Sequence, residues 1–256
     1  MVWERGVVIK TTEEVEIMRQ AGRINALALD TVRKMVRPGI TTAALDAAAE
    51  DVIRSHQAVP TFKGYPGPYP YPATLTVSIN DELVHGIPGK RELKDGDVVS
   101  VDCGTTFNGF IGDSAFSMGV GEISPEAQKL LDVTEKSLYE GIKQMRTGKR
   151  IGDISAAIQK HVEKYGYNVP REYSGHGVGR QMHEAPQVPN YGRSGRGLVL
   201  QPGMTLAIEP MVLMGTYRTR VLPDQWTVIS ADGALTAHHE HTIAVTEGDP
   251  YILTTL

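Results

Sequence analysis

Apolar residues recur at helical spacing in four stretches of this chain and cluster in several shorter, strand-like runs. Thr11-Thr12-Glu13-Glu14 opens the first helical stretch, with Thr11 and Glu14 spaced as a capping box. Ile17, Ala21, Ile24 and Ala28 then mark its apolar face. A second helix is predicted from Thr41 or Thr42 through Leu45, Ala48, Val52 and Ile53. Ser124-Pro125-Glu126 starts a third, with Ser124 as N-cap and Pro125 at the first helical position. A fourth covers roughly 151–165. The stretch 65–72, rich in Pro, Gly and Tyr, reads as loop. Strand-like runs are expected at Leu75–Ile79, 98–103 and 110–116, and later at 205–211, 226–229 and 241–245.

The order is two helices then strands, followed by two helices then strands again. Details match between the two passes. Leu93 and Gly96 stand before Asp102 as Leu200 and Gly203 stand before Glu209, and His85-Gly86-Ile87 has a counterpart in His176-Gly177-Val178. A degenerate duplication accounts for this, with pseudo-repeats at roughly 12–120 and 121–250 inside one domain, 1–256. It predicts an α+β fold of two similar halves sharing a sheet, with acidic residues meeting between them.

Composition is that of an ordinary globular protein. A formal charge of −4 provides no basic footprint for DNA. No apolar stretch has the length of a signal peptide or membrane span, and the single cysteine, Cys103, suits a reducing compartment. A cytoplasmic protein without a membrane partner is expected.

Asp102 and Asp113 sit in two strand-like runs joined through Asn108-Gly109. Asn-Gly favours a type I′ hairpin because both central residues need positive φ. That turn sets Asp102 opposite Ala115 and Asp113 opposite Gly104, so the two acids share a face as diagonal neighbours, roughly 7–8 Å apart at Cβ or somewhat less. Bare carboxylates so placed repel, whereas cations between them fit. Cys103 alternates to the other face as a core residue.

His176 lies among glycines, Glu209 just before Pro210, and Glu240 at the head of an apolar run. Each alone fits a structural contact as well as a ligand. Together, two Asp, two Glu and one His make an oxygen-rich set, wrong for structural zinc but suited to a carboxylate-bridged pair of Mn, Fe, Co or Zn ions.

With these residues in place, nearly the whole chain resembles the type I methionine aminopeptidases of the creatinase-like, "pita-bread" superfamily. The resemblance rests on Ser78-Ile79-Asn80, His85-Gly86-Ile87-Pro88, Asp102, Gly112-Asp113 and Gly175-His176-Gly177-Val178-Gly179. It continues in His183-Glu184, Ile208-Glu209-Pro210-Met211, Trp226-Thr227-Val228 and Glu240-His241-Thr242. It implies a pseudo-two-fold fold, with a curved, mainly antiparallel sheet and helices on its outer face. It also implies two divalent metal ions held by Asp102, Asp113, His176, Glu209 and Glu240, with Asp113 and Glu240 bridging. His85 would contact the scissile amide, His183 the developing oxyanion, and Glu209 would carry the proton to the leaving amine. Tyr65, Met182 and Trp226 would receive the methionine side chain. The implied activity is removal of the initiator methionine from nascent chains, preferably before a small residue, by a monomer in transient contact with the ribosome.

Two features depart from the family pattern. Phe62 and Thr76 stand where relatives often carry cysteines, and the run 65–72 is longer than the usual Gly-Tyr segment, leaving Tyr69 and Tyr71 as alternatives for the pocket. Two other readings compete. A proline-selective peptidase of the same superfamily usually carries an extra N-terminal domain, for which the ten or so residues before the first helix leave no room. A peptide-binding module without metals would be expected to have lost ligands, and all five are present.

Overall fold

The computed structural model describes residues 6–256. The first five residues, part of the N-terminal stretch read above for a signal peptide, lie outside the described residues.

Among the described residues four helices form, three of them where the capping residues place them. Helix α1, Thr12–Met35, starts on a reciprocal cap: the Thr11 hydroxyl accepts the Glu14 N–H at 3.2 Å, and the Glu14 carboxylate accepts the Thr11 N–H at 3.0 Å. Acids in its first turn and Arg33 and Lys34 in its last suit the helix dipole. Helix α2, Thr42–Ser55, is capped by Thr41, and α3, Pro125–Ile142, by Ser124. Helix α4 spans Ile151–Glu163, two residues shorter than its apolar pattern suggests, because the chain turns at Gly166 with φ 80°. The buried face of α2 centres on Leu45, Ala49 and Ile53, leaving Ala48 and Val52 half-buried.

The Asn-Gly hairpin has the expected register. Strands Val98–Phe107 and Phe110–Gly119 pair antiparallel, with Asp102 opposite Ala115 and Gly104 opposite Asp113. Asn108 and Gly109 have φ 48° and 78°, the positive values a type I′ turn needs. Both strands outrun their apolar stretches because the long ladder carries them to the turn.

Cross-strand pairing then lines up the acids. Thr76 of Leu75–Ile79 pairs with Asp102, Asp102 with Ala115, and Ala115 with Glu240. His241 pairs with Ile208, which sets Glu240 opposite Glu209, and His176 pairs with Ala207. Residues directly opposite, or two apart, share a face. One face of a curved antiparallel sheet therefore carries Asp102, Asp113, Glu240, Glu209 and His176.

The other face is covered by helices. Ile24, Ala28, Leu45 and Ile53 of α1 and α2 pack with Val99, Val101 and Cys103 of the first half. Leu130, Leu138, Ile154 and Ile158 of α3 and α4 pack with Leu206, Ile208 and Ile243 of the second. Cys103 thus turns to the helices, away from the acids. Gly112 and Gly22 let α1 approach closely, since a Cβ on Gly112 would lie 2.5 Å from the Gly22 Cα.

Matching hydrogen bonds recur in the two halves. Gly39 donates to the Leu93 carbonyl (2.8 Å) as Gly148 does to Leu200 (3.1 Å), and Gly96 donates to Val120 (2.9 Å) as Gly203 does to Val245 (3.0 Å). These are the Leu-x-x-Gly positions that match in the sequence.

Two later runs break where continuous strands were expected. The stretch 205–211 divides into Thr205–Ile208 and Met211–Leu213, which pair with different strands. Pro210 lacks the N–H that would continue the ladder, so Glu209 stands at the break. The strand near Trp226 begins only at Val228. Trp226 instead lies in a turn where the Asp224 carboxylate accepts the N–H groups of Trp226 (3.0 Å) and Thr227 (2.9 Å).

Candidate metal centre and substrate cavity

A cavity of about 170 Å³ opens on the acid-bearing face of the sheet. Asp102, Asp113, His176, Glu209 and Glu240 all border it, as do His85 and His183. Tyr65, Met182, Trp226, Phe62 and Thr76 also contribute to its wall. The structure thus brings every sequence-derived candidate to one place.

The acid end is tightly packed. Asp113 and Glu240 are each only 2% exposed. One ligand atom from each of Asp113, His176 and Glu240 falls within 4.8 Å of the others. His176 Nε2 lies 3.7 Å from Asp113 Oδ2 and 3.5 Å from Glu209 Oε1. Its Nδ1 lies 2.9 Å from the Gly177 carbonyl oxygen. A carbonyl only accepts, so Nδ1 carries the proton and Nε2 turns its lone pair towards the acids.

Burial and mutual repulsion dominate the electrostatics. Burial lifts Asp102 to about 7. Asp113, Glu209 and Glu240 are also pushed well above the ordinary carboxylate range, first by burial and then by neighbouring carboxylates. Burial holds His176 down at about 3 and His85 at about 4, so both rings are neutral at physiological pH.

These residues fit divalent cations. Asp102 Oδ1, Asp113 Oδ1 and Glu240 Oε1 are buried without a hydrogen-bond partner. Orphaned carboxylate oxygens converging beside a neutral imidazole are costly alone and well satisfied by hard or borderline metal ions.

Sequence reasoning missed His238. Its side chain is 3% exposed, and Nε2 lies 3.7 Å from Glu209 Oε2 and 3.9 Å from Glu240 Oε2. Alternation could have found it, because a residue two before Glu240 shares its face.

The other end of the cavity is apolar, with Phe62, Tyr71 and Met182 in one buried cluster against which Tyr65 and Trp226 pack. The choice between the tyrosines falls to Tyr71, which is 3% exposed and whose single O–H is shared between the carbonyls of Leu75 (3.0 Å) and Gly86 (2.9 Å). Tyr69 stays outside, its hydroxyl on the Asp224 carbonyl and its ring edge-on to Trp226. Phe62 has room because Gly104 has no side chain: a Cβ there would sit 2.8 Å from the Phe62 ring. His85 holds a left-handed conformation, φ 62°, a backbone uncommon among residues other than glycine and of the sort found at functional sites.

A buried site of this donor chemistry, opening into an apolar cavity, suits a metal-dependent enzyme. Residues 16–247 match the model of metallopeptidase family M24. A methionine aminopeptidase of Clostridium perfringens is 50% identical over 248 residues, covering 97% of this chain and 98% of its own. Methionine aminopeptidase 1 of Bacillus subtilis is 51% identical over 248 residues, covering 97% of this chain and 99% of its own. The crystal structure of a Thermotoga maritima methionine aminopeptidase is 46% identical with a TM-score of 0.95, covering 98% of this chain and 100% of that one. The chain belongs to metallopeptidase family M24, among its methionine aminopeptidases.

Proposed function

We propose that this chain removes the initiator methionine from new polypeptides, preferring those whose second residue is small. The observation that carries the reading is the meeting, in one cavity, of the acid–imidazole cluster with the apolar end formed by Phe62, Tyr71, Met182 and Trp226. Asp102, Asp113, His176, Glu209 and Glu240 would hold two divalent cations, Co, Mn, Fe or Zn. Such ions supply polarisation of the scissile carbonyl and a lowered pKa for a water molecule.

The chain's own groups do the rest. The apolar end receives an unbranched thioether, which adapts well to aromatic walls. His85 contacts the scissile amide, and His183, at the mouth, offers a donor to the oxygen on which charge develops. Glu209 takes the proton from the attacking water and returns it to the leaving amine.

The same reading takes residues 1–256 as one catalytic domain with pseudo-repeats at about 12–120 and 121–250, supported by the recurring Gly–Leu hydrogen bonds. It also takes the enzyme as a cytoplasmic monomer that meets emerging N-termini at the ribosome. The one free, buried thiol, Cys103, supports a reducing compartment.

Release of methionine from Met-Ala-Ser, compared with Leu- and Pro-initiated peptides in the presence of Mn or Co, tests the proposal. Selective methionine release is expected, and its absence from every peptide overturns the reading.

A further inference from the structure

His183 lies outside the regular strands. It is solvent-exposed at the cavity mouth, in the short turn between Gly179 and Glu184. Two devices hold it. The backbone is fixed from beneath, where Glu184 Oε1 accepts the N–H groups of Arg180 (2.8 Å) and Gln181 (3.1 Å) while Oε2 pairs with the buried Lys10 ammonium. The ring is fixed from the side, where the Tyr65 hydroxyl lies 2.6 Å from His183 Nδ1, with the two rings edge-to-face at 5.4 Å.

The second contact decides which ring nitrogen carries the proton. A neutral imidazole has one N–H, and the nitrogen facing a donor must be the bare one. A phenol is a stronger hydrogen-bond donor than acceptor, and the imine nitrogen of imidazole is a strong acceptor. The short O···N distance fits O–H donation to Nδ1. The proton of His183 then sits on Nε2, where it can be donated.

We propose that Tyr65 is a positioning residue whose hydroxyl holds His183 in the Nε2–H tautomer, aimed as a donor into the cavity. This rests on the peptidase reading for its consequence in catalysis, but not for the tautomer itself. It also separates two roles for Tyr65. If the ring served only as a wall for the substrate side chain, phenylalanine would replace it without loss. If the hydroxyl sets the tautomer, phenylalanine keeps the wall and frees His183 to rotate and exchange its proton between the two nitrogens.

The test combines spectroscopy and kinetics on the full-length, zinc-loaded protein, chosen because zinc is diamagnetic. Nitrogen-15 NMR of labelled histidine, with His183 assigned through His183→Gln, should show a protonated Nε2 and a bare, hydrogen-bonded Nδ1. In Tyr65→Phe the His183 signals should move to the averaged positions of mixed tautomers, while those of His239, remote from the cavity on Ser117, stay in place. With Met-Ala-Ser as substrate, Tyr65→Phe should lower kcat about tenfold or more, because an aligned oxyanion donor is lost. KM should stay within about twofold, because the aromatic wall remains. Bound zinc should be unchanged. A protonated Nδ1 in the unaltered protein, or Tyr65→Phe with full kcat, overturns the proposal. Failure of the unaltered protein to release methionine would instead overturn the peptidase reading, and the NMR result would still decide the tautomer.

Discussion

Ala115 and Glu240 exchange backbone hydrogen bonds, with N···O distances of 3.3 and 3.0 Å, and through this bridge the two halves of the sheet meet. Ala115 is also the direct partner of Asp102, so its methyl lies between the acids contributed by the two halves. A small residue is required there, since any longer side chain would project among the carboxylates.

The substitution Ala115→Leu should therefore weaken binding of Mn or Co by about 10–100-fold while leaving the fold intact. Isothermal titration with the metal-stripped variant measures this. Unchanged affinity would mean that the methyl does not face the acids.

Metal removal should change how stability depends on pH. In the stripped protein, burial raises the pKa of Asp102 to about 7, and burial followed by neighbouring carboxylates raises Asp113 and Glu240. A folded-state pKa above the unfolded value gives stability that is full below the unfolded carboxyl range, about 4, and is lost as pH rises through the folded value. Metal binding requires those protons to leave. The difference in Tm between Mn-loaded and stripped protein should widen from pH 5 to pH 8, as read by differential scanning fluorimetry. A difference that is flat over this range would contradict it.

The pair Lys10–Glu184 is buried, with side chains 3% and 8% exposed. Removing one partner strands the other charge, so Lys10→Met should destabilise the fold by about 3–5 kcal/mol. Lys10→Met combined with Glu184→Gln should cost less than Lys10→Met alone, because the amide oxygen can still accept from the turn without an unpaired charge. Urea unfolding of the two variants gives both values.

His239 lies away from the cavity, 7% exposed, where its Nε2 accepts the Ser117 N–H at 3.4 Å. Burial, then the neighbouring His238, lowers its pKa to about 3. As pH falls below the ordinary histidine value, about 6.5, the unfolded chain takes up a proton that the folded chain refuses. Stability is therefore lost between about 6.5 and 3. His239→Gln retains an acceptor without a titrating ring, so its unfolding free energy should fall less steeply across that range than that of the unaltered protein.

The hairpin was readable because its register follows from local chemistry. Asn108-Gly109 fixes the turn, and counting back from it places Asp102 and Asp113 on one face. The helix starts at Thr11, Thr41 and Ser124 were readable for a similar reason: the cap bonds lie within three residues. The break at Glu209 was less legible, since the apolar run continues through Pro210 and only the missing N–H ends the ladder. His238 escaped attention because its neighbours are histidines as well, and only the strand's alternation tells His238 and Glu240 from His239 and His241.

The sequence by itself determined the helices, the hairpin register and the residue types able to hold metal ions, since these depend on dihedral preferences and side chains a few positions apart. The tertiary structure decided which groups face one another. The Ala115–Glu240 bridge, the Tyr65 hydroxyl on His183, the Lys10 ammonium beneath Glu184 and the choice of Tyr71 over Tyr69 all join residues from separate elements. Their contacts depend on how the two halves close around the sheet, and no local periodicity records that closure.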